Sequence, residues 1–137
     1  MAFNFKEISL EIKRLKGYLP IQVGNIAKNH YLKAFRDGGF TESSLEPWAA
    51  RKTKNRSDRN NSAKRAILVD SGALRGSIRV GKATFSRIEV GSYGISYAGF
   101  HNNGEGPLPV RKFVGSSAAM SKEINNKISK EINKILR

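Results

Sequence analysis

The sequence predicts an α+β domain: a small antiparallel sheet packed by N-terminal and C-terminal helices, with a long basic loop between them. Three observations predict it. Apolar residues recur at helical spacing near both ends, two short runs alternate apolar with polar in the middle, and a basic stretch without apolar period separates them. A chain of 137 residues buries enough surface for one core, so a single domain over 1–137 is expected.

Ile8, Ile12, Leu15 and Leu19 recur at steps of four, three and four among Lys6, Glu7, Glu11, Lys13 and Arg14, the stripe of an amphipathic helix. Gly17 and Pro20 then punctuate. Proline suits a first helical turn, so a second helix is expected to start at Pro20 and run through Ile26, Ala27, His30, Tyr31, Ala34 and Phe35. Asp37-Gly38-Gly39 ends it. From Phe40 to Ala66 a long exposed loop is expected, because Arg51 to Arg65 holds seven Lys or Arg and one Asp. Trp48 is its expected inner anchor.

Ala66 to Val69 form a short apolar run, and Asp70-Ser71-Gly72 supply capping chemistry for a turn or brief helix at Ala73 to Arg75. Ser77 to Val80 and Phe85 to Val90 alternate as strands of a hairpin turning at Gly81-Lys82. An irregular loop, "YAGFHNNGEGPLPVRKFVG", follows. Met120, Ile124, Ile128, Ile132, Ile135 and Leu136 then make a helical stripe capped by Ser116 or Ser117, expected to cover the sheet, with Glu123, Lys127, Lys130 and Glu131 as surface charges.

Cysteine is absent, which removes disulfides and thiolate chemistry. No run of about 18 apolar residues and no signal-peptide pattern occurs, so the expectation is a soluble intracellular protein with no membrane contact. The net charge of +14 attracts nucleic acid, anionic surfaces or acidic proteins without selecting among them. Arg51, Lys52, Lys54, Arg56, Arg59, Lys64 and Arg65 are the candidate contacts to DNA or to an acidic partner, against a plain solvated loop. No aromatic interleaves with them, which weakens base stacking as a binding mode.

The catalytic inventory is thin. His101 and Glu105 stand four apart, but Asn102-Asn103-Gly104 between them is turn chemistry, so a hydrogen-bonded loop histidine outweighs a metal ligand or acid/base pair. His30 sits on a core-facing stripe and reads as a satisfied core residue. Ser71 lacks the flanking glycines of a nucleophile elbow, and neither GxGxxG nor GxxxxGK[ST] occurs. No metal, cofactor or catalytic residue is assigned.

"ILVDSGALRGSI", "YAGFHNNG" and "LPVRKFVGSS", in that order, resemble three blocks of the phage virion-morphogenesis family, the tail-completion proteins of contractile-tailed phages related to Mu and P2. The matching positions are Leu68, Ser71, Gly72, Leu74, Ser77 and Ile78; Tyr97, Ala98, His101 and Gly104; and Pro109, Arg111, Phe113, Val114 and Gly115. "EPWAARKTK" is similar to the family's tryptophan before a Thr/Lys-rich stretch, whereas "GGFTESSLEP" departs from the acidic, Gly-containing turn usual upstream of it. The resemblance implies a non-enzymatic, cofactor-free structural protein of tail or neck assembly, forming a ring with other phage proteins as neighbours. It further implies a location in the host cytoplasm during assembly and then in the virion. A small basic nucleic-acid-binding protein is the alternative.

For an assembly role, Pro109, Arg111, Phe113 and His101 are the candidate interface residues. Pro107 and Pro109 lower the entropy lost when the loop docks, while Arg111 and Phe113 are anchor types. Phe113 and Val114 alternatively lead the chain back into its own core.

Overall fold

A computed structural model of the chain describes residues 4–50, 68 and 72–136. Helix α1 (Phe5–Asp37) opens on Asn4, whose Oδ1 accepts the Glu7 N–H at 3.3 Å. It closes on Gly38, left-handed at φ 68°, whose N–H reaches the Ala34 carbonyl, so the stop expected at Asp37-Gly38-Gly39 is there.

The break expected at Pro20 is not. One helix of 33 residues, about 50 Å long, runs through Gly17 and Pro20. A proline inside a helix forfeits one hydrogen bond and costs about 3 kcal/mol. Packing on both sides of Pro20 offsets this, because Leu15 and Leu19 before it and Val23 and Ala27 after it form one unbroken buried stripe.

After Gly38 the chain reverses into strand β1 (Gly39–Thr41), paired antiparallel with β2 (Leu45–Pro47) in the register Gly39↔Pro47, Phe40↔Glu46 and Thr41↔Leu45. This ladder replaces the first part of the loop expected from Phe40 onward. Phe40 and Trp48 are both buried, so Trp48 is the expected anchor.

Helix α2 (Ala73–Gly76) follows Gly72, whose positive φ of 81° makes the turn without any side-chain cap. Asp70 and Ser71, expected to cap it, lie outside the described residues. The predicted hairpin is present as β3 (Ile78–Thr84) and β4 (Arg87–Ser92), but it turns at Phe85-Ser86 rather than at Gly81-Lys82. Gly81 and Lys82 instead form a bulge opposite Glu89, between the pairs Val80↔Val90 and Ala83↔Ile88.

Helix α1 crosses this hairpin at Gly24. A Cβ there would lie 2.9 Å from Val80 Cγ1 and 3.6 Å from Ile88 Cγ2, so glycine permits the approach.

Two further helices complete the described fold. Helix α3 (Ala98–Asn103) falls inside the stretch expected to be irregular, and α4 (Ala118–Ile135) is the predicted final helix. Ser117 caps α4, its hydroxyl accepting the Met120 N–H at 3.1 Å. The architecture is α+β, with helices at both ends and two small antiparallel sheets among the described residues.

Two hydrophobic clusters sit along α1. Near its C-terminal end, Tyr31, Ala34 and Phe35 join Phe40, Trp48, Leu74, Ile78, Ala98 and Phe113. Nearer its start, Leu15, Leu19 and Val23 meet Ile88 of β4 and Ile124, Ile128 and Ile135 of α4. The stripe of α4 therefore packs chiefly on α1, where it was expected to cover a sheet. Ile132 and Leu136, counted in that stripe, stay exposed.

One surface charge expected on α4 is buried. Glu131 accepts the Tyr18 hydroxyl at 3.1 Å and the ammonium groups of Lys127 and Lys134 at 3.0 and 3.2 Å. The lysine contacts hold its carboxyl down at about 2, against the opposing pull of burial and with help from Tyr18. Among the described residues no helix is long and apolar enough to cross a membrane.

Candidate functional site

The stretch from Tyr97 to Ser117 is fastened to itself and to the rest of the fold by directional bonds. Its first element, α3, ends on Gly104, left-handed at φ 68°, where a Cβ would also collide with the side chain and backbone of Val110. The chain can thus fold back on itself, and the Arg111 N–H donates to the His101 carbonyl at 2.9 Å. Asn102 Oδ1 accepts two backbone donors, Phe113 N–H at 2.9 Å and Val114 N–H at 3.0 Å. Asn102 and Gly104 serve as turn chemistry, as expected, but at the end of a short helix rather than in an open loop.

The second set of bonds ties this stretch to α1, to β1 and to the residues flanking β2. Trp48 Nε1 donates to the Lys112 carbonyl at 2.8 Å, and the Tyr31 hydroxyl donates to the Gly115 carbonyl at 3.3 Å. Ser117 Oγ lies 2.7 Å from the Thr41 carbonyl and 3.0 Å from that of Glu42, and the Ala119 N–H donates to Glu42 O at 2.8 Å. The Lys112 ammonium stands 4.7 Å over the Phe40 ring.

Each predicted site residue has a definite place in this frame. The Arg111 guanidinium is turned onto its own chain: Nε and Nη2 donate to the Ala49 carbonyl at 3.2 and 2.9 Å, and Nη2 lies 3.5 Å from Ala50 O. It braces the backbone that leads into Arg51. Phe113 is 1% exposed and packs on Phe35 with ring centroids 5.2 Å apart, so of its two readings the inward one holds and it offers no surface to a neighbour. Pro109 is half-buried beside the exposed Val110.

His101 is half-buried edge-on to Tyr97, with ring centroids 6.0 Å apart. Burial first, and the Arg111 charge second, hold its imidazole below the usual histidine range. Its Nδ1 is buried without a hydrogen-bond partner among the described residues. Neither a hydrogen bond nor an ion pair joins it to Glu105. Among the described residues no cluster of three His, Cys, Asp or Glu could hold a metal. His30 is satisfied as expected, its Nε2 donating to the Thr41 carbonyl at 3.0 Å.

The DNA or acidic-partner candidates Arg51, Lys52, Lys54, Arg56, Arg59, Lys64 and Arg65 lie outside the described residues.

Beside the exposed Asn103 and Glu105, the frame presents three large apolar side chains outward. Tyr97, Phe100 and Val110 are 43, 47 and 61% exposed, and all three sit on α3, at its N-terminus, or on the irregular segment folded against it. Phe100 and Val110 did not stand out in the sequence, since no period marks a six-residue helix; only their size beside two prolines was available as a signal. Comparison with protein-family models, curated proteins and solved structures finds no match.

Proposed function

We propose that the chain is a non-enzymatic structural subunit of phage or prophage tail or neck assembly, completing the tail as part of a ring. One observation carries this reading. The three blocks behind the resemblance supply Leu74 and Ile78, then Ala98, then Phe113 to a single core cluster, and the frame so built holds Tyr97, Phe100 and Val110 out to solvent. Large apolar side chains on a bonded scaffold lose little conformational freedom on docking, which favours a protein interface. Subunits of this kind gather in the host cytoplasm and end in the virion.

The charge of +14 supports a second reading, a nucleic-acid-binding protein whose affinity falls steeply with salt. Solution mass separates the two. Sedimentation of the full chain, alone and with tail-tube or connector proteins, is expected to give a multi-subunit particle that reverts to monomer in a Tyr97→Ser, Phe100→Ser, Val110→Ser triple variant. A monomer at every concentration, with no binding to those partners, would overturn the assembly reading.

A further inference from the structure

A groove of about 550 Å³ opens on α1 away from the Tyr97–Val110 surface residues in sequence, between the helix and the α2–β3 junction. Three cations line it, Lys28 and Arg36 from α1 and Arg75 from α2, and among the described residues no carboxylate does. Lys28 and Arg75 have no hydrogen-bond or ion-pair partner among the described residues, and the contact of Arg36 to Asp37 is long at 3.8 Å. The floor between the charges is apolar, offered by the half-buried Leu32 over the closed Phe35 and Ile78. Its volume falls within the usual range of ligand pockets, roughly 300–1,000 Å³.

Three like charges around one groove repel each other, and an anion that sits among them relieves this repulsion while making charge-assisted hydrogen bonds. The floor narrows the choice of anion. A nucleic-acid backbone uses cations but has no apolar group to place on Leu32, and its bases would need an open aromatic face, whereas Phe35 is 1% exposed. An inorganic anion would leave the floor wet.

A second copy of the chain is a poor occupant too. It carries +14, and several of its few carboxylates are already paired, Glu11 with Arg14, Glu89 with Arg87 and Glu131 with Lys127 and Lys134. We propose that the Lys28–Arg36–Arg75 groove docks an acidic peptide segment of another protein, its carboxylates on the three cations and an adjacent apolar side chain on the Leu32 floor. The groove needs no ring, and a monomer would carry it equally well.

Fluorescence anisotropy of the full-length protein with a labelled octapeptide, four Asp or Glu around a central Leu-Phe pair, tests this. Arg75→Glu and Lys28→Glu are each expected to weaken binding by at least about tenfold, the scale of one lost charge-assisted hydrogen bond. Arg75→Gln should show the same direction, and circular dichroism confirms that each variant is folded. Replacing the Leu-Phe pair by Ser-Ser should weaken binding severalfold, whereas Lys130→Glu, the same charge change on α4, should leave it within about twofold. Equal loss in Lys130→Glu, or no loss in Arg75→Glu and Lys28→Glu, would overturn the proposal in favour of net charge or another surface. A single-stranded oligonucleotide that binds more tightly than the peptide and is itself lost in Arg75→Glu would overturn it in favour of nucleic acid.

Discussion

The two hydrophobic clusters along α1 are held together in different ways. The aromatic one around Phe35, Trp48 and Phe113 is built from elements far apart in the chain and is fixed by bonds of definite direction, Trp48 to Lys112 O, Tyr31 to Gly115 O and Ser117 to Thr41 O. The aliphatic seam of Leu15, Leu19 and Val23 against Ile124, Ile128 and Ile135 is two helical stripes laid together, with one polar cluster at Glu131. A stripe tolerates small slips along its axis, whereas a carbonyl held by an indole N–H does not. The surface that carries Tyr97, Phe100 and Val110 is attached to the rigid cluster.

The largest effect is expected where that rigidity is centred. Phe113→Ala removes a ring that fills the space against Phe35, and should cost about 3–5 kcal/mol in urea unfolding. Its loss should also free the Trp48 indole, read as a red shift of fluorescence before the main transition.

On the seam, Leu19→Ala should cost less, about 2–3 kcal/mol, because a helix pair with exposed Ile132 at its edge can partly close over the gap. Its distinctive mark is local. Pro20 leaves α1 one bond short at that point, so amide exchange should accelerate over residues 5–16 more than over 21–37. Uniform acceleration would mean that the seam is not what carries α1 past Pro20.

Another effect concerns acid. Glu131 titrates at about 2 when folded, below its ordinary 4.5, so its contribution is complete above the higher value and is lost as pH falls toward the lower. Urea midpoints measured between these two values should therefore fall further for the wild type than for Glu131→Gln, which has no proton to take up there.

The same contrast explains what was legible in the residues. The seam was, for the most part: the α4 stripe, the Ser117 cap and the Gly38 stop are local patterns with local causes. Helix α1 was misjudged at Pro20 because propensity is local and the packing that overrides it comes from β4 and α4. The β1–β2 ladder was invisible, since three-residue strands have no room to alternate and its place depends on Trp48 N–H donating to Gly38 O.

Glu131 was misread for a similar reason. Its neighbours in sequence are those of a solvated face, and its burial comes from the packing of α4 on α1, where the Tyr18 hydroxyl, 113 residues away, bonds to it. At the site, the block positions were visible and their directions were not. Nothing near Arg111 announces that it will hold Ala49, 62 residues earlier.

Those long separations also govern when the aromatic core can exist. The bonds from Trp48, Tyr31 and Ser117 span 64, 84 and 76 residues, so each requires a large loop to close first, and such closures are slow. On a ribosome the order is stricter still. Phe35, Phe40 and Trp48 emerge long before Phe113, and until it follows their cluster lacks the ring that closes it against Phe35. The nascent chain is therefore expected to expose these aromatic rings until the segment around Phe113 has been made.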